Sequence, residues 1–352
     1  MGIGIYRSEI PVLLLYNLDP QWSEHEQVEV LDVTSRAGKA LSDAGYPTTL
    51  VPVTDSDLDS VLSDYNPLEC IIFNWCESLP GVHHSESLVV EYLEQYGFTF
   101  TGASSSTLTL TRDKNQVKQL MNDAGILTPA WEIYDKGSTV DWKRFPAIVK
   151  PSREHSSEGI NRKAVVTTET DLKKRIRHII KRFQCPALVE DFITGRELHA
   201  SLWGNGDLEM LPPAEMEFSS IEDEYDRLCT YESKFVPESK QYNNIKTVIP
   251  ASISEQELLD IEQICKAAYI LTGCRDYARI DLRMKDGLFY ITDINPNADL
   301  CPDTSTISAA EFAGYTYEAF LGRLVLFAGE RHPEFGREFA VVPRQSLNSS
   351  NY

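Results

Sequence analysis

The sequence predicts an α/β protein in which a parallel N-terminal domain precedes an α+β part. Short apolar segments alternate with helical patterns over roughly the first 100 residues, which is typical of parallel strands joined by crossover helices. Further along, strand patterns follow one another through turn residues such as Asn205-Gly206, which is typical of antiparallel pairing. A chain of 352 residues is long enough for two or three domains.

Four strands and two helices are predicted in the N-terminal part. The strands are PVLLLY (11–16), PTTLVPV (47–53), ECIIFN (69–74) and FTFTG (98–102), and the helices cover about 24–44 and 85–96. Gly45 and Gly97 directly follow the helical patterns. Glycine is favoured there because it readily adopts the left-handed conformation that ends many helices. The alternation therefore predicts a parallel sheet.

The remainder of the chain mixes helices with consecutive strands. Helices are predicted at about 113–124, 168–182, 254–271 and 307–327, and strands at FPAIVK (145–150), KAVV (163–166) and within 187–211, with turns at Thr194-Gly195 and Asn205-Gly206. Ser254 and Glu257 form a capping box that starts the third of these helices. Residues 219–246 are polar and aperiodic, which predicts either a functional lid or a disordered loop.

Composition disfavours several classes of function. A formal net charge of −20 argues against nucleic acid and anionic membranes as partners, because both need clustered Lys and Arg. The seven cysteines are scattered without a Cys-x-x-Cys pair, so neither a disulfide framework nor a structural zinc site is expected. No apolar run approaches the roughly 20 residues of a membrane span, and the first ten residues lack the pattern of a secretory signal. We therefore expect a protein of the reduced cytoplasm.

The last predicted hairpin, YARIDLRM-KDG-LFYITDIN (277–295), carries hard oxygen ligands on both strands. A two-residue Asp-Gly turn would set Asp281 opposite Thr292 and direct Asp293 to the other face. A three-residue turn that ends in a bulge at Gly287 sets Asp281 opposite Ile291 and Arg279 opposite Asp293. The second register brings Arg279, Asp281, Asp293 and Asn295 to one face, because side chains alternate along a strand.

We expect this face to be a magnesium site beside a fixed cation, since Mg²⁺ prefers one or two carboxylates together with phosphate oxygens. The alternative is a solvated polar face with a weak Arg–Asp pair. Two features favour the metal site. The flanking residues Ile280, Leu282, Ile291 and Ile294 make one face of the hairpin clearly buried. The continuation INPNADLCPDTSTIS (294–308) stays polar and small toward a helix start, where a ligand is readily bound.

The stretch VKPSREHSSEG (149–159) is too polar and too small for a core segment. Lys150 ends a predicted strand, and Ser156, Ser157 and Gly159 come after it. Small residues let backbone N–H groups approach a phosphate, and lysine supplies positive charge. The loop does not match G-x-x-x-x-G-K-[ST], and no G-x-G-x-x-G follows the first strand. By itself it is a weak indication of phosphate binding.

The order of these features resembles the ATP-grasp superfamily, and within it the D-alanine–D-alanine ligase family. The resemblance covers about residues 11–328. Its motifs are FNWCESLPG (73–81) with FTFTG (98–102), TRDKNQVKQLMNDAGILTP (111–129), VKPSREHSSEG (149–159), VEDFITGRE (189–197) and RIDLRMKDGLFYITDINP (279–296). It implies an N-terminal α/β domain (1–105), a two-subdomain ATP-grasp fold (106–190 and 191–330, with 219–246 as its lid) and a tail (331–352).

The resemblance also implies an ADP-forming carboxylate–amine ligase that uses ATP and Mg²⁺, with two ions usual in such ligases. For ATP it implies phosphate contacts from Lys114, Lys150, Ser156, Ser157 and Lys234, adenine contacts from Glu190, Asp191, Phe192 and Ile193, and a ribose contact from Glu197. For the metal it implies Asp281, Asp293 and Asn295. Arg279 would steady the acyl phosphate and the tetrahedral intermediate. The partners implied are a small carboxylate and an amino acid, and a homodimer.

The sequence departs from the family in the pocket of the first substrate. The position of the family's substrate-gripping glutamate holds His25, flanked by Glu24 and Glu26. The family's His-Gly reads Glu77-Ser78, its lid tyrosine is Phe235, and its oxyanion-hole glycine falls near Asp299. His155 precedes the retained Ser156, and Thr304 and Ser305 belong to the same pocket. Losing several members of a polar network together suggests a different first substrate, since each orphaned buried group costs about 1–3 kcal/mol.

Three alternatives stay open at this point. The departures could be drift within an ordinary D-alanine–D-alanine ligase of cell-wall synthesis, or a register error of one or two residues near His25. The chain could also be a nucleotide-binding regulatory protein without turnover. Retention of the residues implied for ATP and the metal argues against that last reading, because a dead site should have lost some of them.

Overall fold

The computed structural model describes residues 10–137, 140–154, 157, 159–230, 233, 239 and 243–336. Within them the strands are β1 (Val12–Asn17), β2 (Thr48–Val53), β3 (Ile71–Trp75), β4 (Thr99–Phe100), β5 (Trp131–Tyr134), β6 (Ala147–Pro151), β7 (Val165–Val166), β8 (Ala187–Asp191), β9 (Arg196–Trp203), β10 (Glu209–Met210), β11 (Ala214–Glu217), β12 (Lys246–Val248), β13 (Tyr277–Lys285) and β14 (Leu288–Asn295). The α-helices are α1 (Glu24–Asp43), α2 (Leu58–Leu62), α3 (Glu86–Gln95), α4 (Ser105–Arg112), α5 (Lys114–Asp123), α6 (Glu169–Phe183), α7 (Glu255–Leu271), α8 (Ser305–Phe312) and α9 (Tyr317–Gly329).

The N-terminal sheet is parallel, with the strand order β2-β1-β3-β4. Its four strands and the helices α1 and α3 confirm the predicted elements. Two short helices, α2 and α4, were not predicted. Their starts are visible in the sequence, because Asp57 and Ser104 cap them through side-chain hydrogen bonds to backbone N–H groups.

The central sheet has the order β5-β8-β6-β7, with every neighbouring pair antiparallel. The third sheet has the order β12-β11-β9-β13-β14, and β10 pairs with β9 through the predicted Asn205-Gly206 turn. The predicted turn at Thr194-Gly195 is wrong as a hairpin, because β8 and β9 belong to different sheets. Gly195 has φ 142°, and a Cβ there would collide with the carbonyl of Met284. This glycine therefore serves a close backbone approach.

The prediction of one long C-terminal helix is also wrong. Residues 305–329 form two helices, α8 and α9. Gly314, with φ 91°, ends the first of them, and Thr316 caps the second through its side chain. Residues 313–316 separate the two helices.

The N-terminal sheet and the third sheet share one hydrophobic core. Leu14 of β1 and Phe73 of β3 belong to the same buried cluster as Trp203 of β9 and Phe320 and Leu324 of α9. A polar clamp lies beside it. Asp276, fully buried, accepts hydrogen bonds from the backbone of Gly102 (2.8 Å), from Asn205 and from Arg331. The shared core and the polar clamp around Asp276 both hold the N-terminal part against the rest of the chain.

No helix in the described part of the chain is long and apolar enough to cross a membrane.

Candidate active site

One open cleft is bounded by α1 and α3, by β6 and β8 of the central sheet, and by β9, β13 and β14 of the third sheet. Most predicted site residues line it: Lys114, Lys150, Ser157, Glu190, Asp191, Phe192, Ile193, Glu197, Arg279, Asp281, Asp293, Asn295, His25, Glu77, Asp299, Thr304 and Ser305. Residues far apart in sequence therefore meet in one place.

A few predicted residues are not found there. Glu24 is exposed at the first turn of α1 and does not line the cleft, whereas its neighbour His25 does. The helix turns by about 100° per residue, so adjacent positions point in different directions. His155, Ser156, Lys234 and Phe235 lie outside the described residues, as does most of 231–242 within the predicted lid.

The carboxylate hairpin has the predicted face but not the predicted register. Asp281 lies opposite Asp293 and Arg279 opposite Asn295, so the expected pairings with Ile291 and Asp293 are wrong. The turn has two residues, Asp286 and Gly287, both with positive φ. The register shifts beyond the Leu282–Ile291 pair, where Thr292 is the extra residue. This bulge returns Asp293 and Asn295 to the face of Asp281.

Every carboxylate on this face is already close to a cation. Arg279 donates two hydrogen bonds to Asp281, of 2.7 and 3.1 Å. Lys114 Nζ lies 2.8 and 2.9 Å from the two oxygens of Asp293. Burial opposes ionisation of Asp293, but Lys114 outweighs it and lowers the pKa of that carboxyl group. Asp293 therefore presents an ionised oxygen ligand on this face at neutral pH.

A second lysine, which sequence reasoning missed, lies behind the first. Lys118 is fully buried, and its Nζ lies 2.7 Å from Glu190 Oε2 and 2.6 Å from Thr128 Oγ1. Lys150 forms an ion pair with the other oxygen of Glu190. Burial alone would raise the pKa of Glu190, but the two lysines lower it to about 2. The available signal was the i, i+4 spacing of Lys114 and Lys118, which puts both on one side of α5.

The predicted ribose residue, Glu197, also has partners. Arg283 Nη2 lies 2.5 Å from Glu197 Oε2, and despite burial this cation lowers the pKa of Glu197 to about 2. His199 Nδ1 lies 3.0 Å from Ser305 Oγ. Its Nε2 is buried, makes no hydrogen bond to a described residue, and lies 3.7 Å from Glu197 and 3.8 Å from Asp281.

Arg283 and His199 were not predicted. Their signal was alternation, since His199 follows Glu197 by two residues on β9 and Arg283 follows Asp281 by two residues on β13. Glu197, His199 and Cys229 also bring three possible metal-ligating atoms within 4.8 Å of one another.

The end of β8 forms the part of the cleft expected to hold adenine. The backbone N–H of Asp191 donates to Ala130 O (2.9 Å) and that of Phe192 to Pro146 O (3.0 Å). Arg144 pairs with the Asp191 carboxylate, its Nε at 2.7 Å. The segment is thus fixed by hydrogen bonds at the end of β8, which lies between β5 and β6 in the central sheet, and the Phe192 ring packs edge-on against Tyr225.

A sequence model of the family described as D-ala D-ala ligase C-terminus matches residues 120–326. The uncharacterized protein y4sG of Sinorhizobium fredii is 31% identical over 301 residues, covering 83% of this chain and 86% of that protein. The D-alanine–D-alanine ligase of Desulforudis audaxviator is 28% identical over 310 residues, covering 85% of this chain and 95% of that enzyme. This chain belongs to the D-alanine–D-alanine ligase family. It is therefore an ATP-grasp enzyme of the ADP-forming ligase class, as the sequence motifs predicted.

The fold of the family is also confirmed. A crystal structure of D-alanine–D-alanine ligase from Bacillus anthracis complexed with ATP has a TM-score of 0.71 and covers 92% of this chain and 99% of that one, at 18% identity. A second crystal structure of D-alanine–D-alanine ligase from Bacillus anthracis has a TM-score of 0.70 and covers 92% of this chain and 99% of that one, at 20% identity. At this identity the likeness concerns the fold, which is the predicted α/β domain followed by an ATP-grasp fold.

A second part of the cleft differs in character from the part that holds the lysines. Glu77 and Asp299 line it, together with the N-terminus of α8. Thr304 caps that helix and also donates to Cys301 O (2.9 Å), while Ser305 contacts His199. Asp299 accepts from the backbone of Cys301 at 2.8 Å. These residues are ordered by local hydrogen bonds and carry mainly negative charge.

Proposed function

We propose that this family member uses ATP to join a carboxylic acid to the amino group of an amino acid, with a first substrate other than D-alanine. The observation that carries the proposal is the composition of the single cleft. At one end it gathers the lysines, carboxylates and Arg279 implied for ATP, metal and transition state. At the other end it presents Glu77 and Asp299, where the family resemblance implies other residue types.

The cationic residues at the first end are suited to holding phosphate oxygens. Lys114 and Lys150 both line the cleft, and each is now paired with a carboxylate, Asp293 and Glu190 respectively. Bound phosphates would share or replace those partners, so the site loses little by admitting an anion. Lys118 lies deeper and would keep Glu190 ionised while Lys150 turns to the ligand.

The opposed hairpin strands fit Mg²⁺. Asp281 and Asp293 face each other across β13 and β14, and Asn295 lies on the same face. Hard carboxylate and amide oxygens are the donors that Mg²⁺ prefers, with its remaining positions left to phosphate and water. Asp281, Asp293 and Asn295 would hold the metal. When bound, ATP would supply the γ-phosphoryl group that activates the carboxylate as an acyl phosphate, with ADP as the leaving group, and Mg²⁺ would stabilise negative charge on the phosphate oxygens.

Arg279 would then act on the developing negative charge. Its Nε and Nη2 are anchored on Asp281, so the guanidinium keeps a fixed position beside the metal face. A preorganised cation of this kind stabilises charge that forms when the amine attacks the activated carbonyl, without first having to reorganise.

D-alanine–D-alanine ligase itself is the second candidate. It is favoured by the similarity of this chain to the D-alanine–D-alanine ligase of Desulforudis audaxviator. In that case the acidic end of the cleft would still have to accept D-alanine.

Phosphate release distinguishes these functions. The purified protein is incubated with Mg²⁺ and ATP and with pairs of amino acids and small carboxylic acids. We expect release of phosphate and ADP with a pair other than two D-alanines. Strong turnover with D-alanine alone would refute the proposed substrate, and AMP as the product would refute the acyl-phosphate route. Tight ATP binding without turnover on any pair would favour a regulatory role.

The metal assignment has its own test. Asp293→Ala should lower the rate of phosphate release by about 10²–10³-fold, the range for removing one group that stabilises a transition state, while the circular dichroism spectrum stays that of the wild type. Asp286→Asn in the turn of the same hairpin is the control and should keep full activity. A wild-type rate for Asp293→Ala would contradict the assignment.

We further propose a cytoplasmic homodimer. All seven cysteines are free thiols, four of them buried, which supports a reducing compartment. Light scattering at several protein concentrations tests the dimer, and a monomer at every concentration would refute it.

A further inference from the structure

The acidic end of the cleft narrows into a pocket between the N-terminal part and the segment after β14. Among the residues that the structure describes, its lining contains three carboxylates and no Lys, Arg or His: Asn74, Trp75, Cys76, Glu77, Glu86, Tyr277, Asn297, Ala298, Asp299 and Leu300. Glu77 follows β3, Glu86 is the first residue of α3, and Asp299 comes four residues after Asn295. The fold thus brings three carboxylates together close to the metal face.

These carboxylates lack a cation within the pocket wall. Glu77 is surrounded by protein but keeps an accessible side chain, because it faces the open space. Enclosure raises the pKa of Glu77 to about 7, and Asp299 and Glu86 contribute through repulsion. Enclosure also raises the pKa of Glu86 to about 7. Arg36 also lines the cleft, but its side chain is exposed and forms an ion pair with Asp32 rather than with these carboxylates.

Hydrogen bonds hold the Glu86 carboxylate and the backbone of Glu77 in position. Asn297 Nδ2 donates to Glu86 Oε1 at 2.9 Å, and its Oδ1 accepts from the backbone of Ala103 at 2.9 Å. Gly102, with φ 90°, leaves room for that amide, because a Cβ would clash with it. The backbone N–H of Glu77 donates to Asn17 Oδ1 at 3.3 Å. The unfavourable proximity of like charges is therefore built into the pocket.

A second feature of the pocket is an unused hydroxyl group. Tyr277 is only 5% exposed and lines the pocket, yet its hydroxyl makes no hydrogen bond that can be identified among the described residues. Burying a phenol without a partner is unfavourable, so this hydroxyl is available to a ligand. Trp75 contributes an indole ring to the same wall, and indole faces attract cations.

A single metal ion does not explain the cluster. In the described part of the chain, Glu197, His199 and Cys229 are the set whose ligating atoms come within 4.8 Å of one another. Glu77, Glu86 and Asp299 do not form such a compact set. Carboxylates spread around a pocket with an aromatic wall suit a larger organic cation, whose several N–H groups can reach them separately.

We propose that the first substrate carries a cationic amine or guanidinium group at the end remote from its reacting carboxylate, and that Glu77, Glu86 and Asp299 bind this group. This inference rests on the proposed ligase function. A neutral or zwitterionic amino acid would leave the pocket with uncompensated negative charge. A substrate such as an amino acid with a basic side chain would compensate it, with Tyr277 and Trp75 completing the contacts.

Binding is measured separately from turnover, so that the two proposals can fail independently. Calorimetric titrations with Mg²⁺ and a non-hydrolysable ATP analogue use lysine against norleucine, each in both enantiomers, and 6-aminohexanoate against hexanoate. Of the cationic ligands, the one that binds most tightly should have an affinity at least about tenfold higher than that of its neutral counterpart. One lost charged hydrogen bond implies a difference of this size. Equal or tighter binding of the neutral members, or no binding of any cationic one, would overturn the inference.

Variants localise the effect. Glu77→Gln and Asp299→Asn should each reduce the preference for the cationic ligand about tenfold and leave the affinity for the ATP analogue unchanged. Glu91→Gln on the exposed side of α3 is the matched control. Glu77→Gln should also raise the melting temperature at pH 8, because it removes repulsion. An unaltered preference in both pocket variants would refute the assignment even if they fold normally. Phosphate release with the same ligands tests the ligase function by itself.

Discussion

At the scale of the residue, charge in this cleft is set by side chains that the ligands need not touch. Lys118 does not line the cleft, yet it lies against Glu190, which does. Because Glu190 is flanked by two lysines, it stays ionised in a buried position. Lys150 can then be positioned by a fixed anion until a phosphate arrives. Sequence motifs identify Lys150 and Glu190, but they do not identify Lys118, the second lysine beside Glu190.

Replacing Lys118 tests this arrangement. Lys118→Met should lower the free energy of unfolding by about 3–5 kcal/mol, because it removes one partner of a buried ion pair and leaves the other charge less compensated. Urea denaturation measures the change. Lys39→Met, at an exposed pair with Asp43 on α1, should change it by less than about 1 kcal/mol. A small effect at Lys118 would mean that Lys150 alone compensates Glu190.

Acid should weaken the same cluster. The pKa of Glu190 is about 2 in the folded protein against an ordinary 4.5, so below pH 4.5 the unfolded chain takes up a proton that the folded protein does not. The stabilisation is complete above pH 4.5 and is lost as the pH falls toward 2. Urea denaturation between pH 6 and pH 3 should show a steeper loss in the wild type than in Lys118→Met/Glu190→Gln. Identical slopes would contradict the shifted pKa.

At the scale of the element, the β13–β14 hairpin decides whether the oxygen ligands converge. Its two-residue turn would by itself direct Asp293 away from Asp281. The bulge at Thr292 corrects the alternation, and the Thr292 hydroxyl donates to the carbonyl of Asp281 at 3.0 Å. The predicted common face was therefore right, although the predicted three-residue turn was wrong. The three-residue turn would have placed Ile291 on the face of Asp281, whereas the observed turn with its bulge keeps Ile291 and Ile294 on the buried face.

The turn itself is testable. Gly287 has φ 75° and nothing within 4 Å of an added Cβ, so Gly287→Val should cost about 1–2 kcal/mol of stability through the left-handed backbone alone. Asp286 has φ 52°, and Asp286→Gly should leave stability unchanged or slightly higher. Chemical denaturation of both variants measures these changes in the free energy of unfolding. Equal stability of Gly287→Val and the wild type would show that the turn can adopt another conformation.

At the scale of the whole molecule, a buried carboxylate joins the parts that enclose the cleft. Asp276 receives hydrogen bonds from the loop after β4, from the β9–β10 turn and from the segment after α9. Arg275 adds a bond of 2.6 Å to the carbonyl of Gly102 and covers the Phe100 ring. These bonds fix the N-terminal sheet relative to the third sheet. They thereby also fix the distance between Glu77 and the metal face.

Removing the counterion of this clamp should destabilise the whole chain. Arg331→Met leaves Asp276 buried without its cation, so the free energy of unfolding should fall by about 3–5 kcal/mol. The double variant Arg331→Met/Asp276→Asn should recover part of the loss, which a double-mutant cycle measures. Arg36→Met at an exposed pair is the control. Additive losses in the double variant would show that the two residues act separately.

The sequence by itself determined the division into parallel and antiparallel parts, the family and many of the charged residues that line the cleft, because these depend on local periodicity and on contiguous motifs. It missed Lys118, His199 and Arg283, which no motif singles out. The tertiary structure alone decided the hairpin register, the separation of β8 from β9 into two sheets, and the meeting of Glu77, Glu86 and Asp299. Each of these depends on pairing between distant segments, and such pairing is chosen by packing and charge in the assembled chain rather than by the pattern of any one segment.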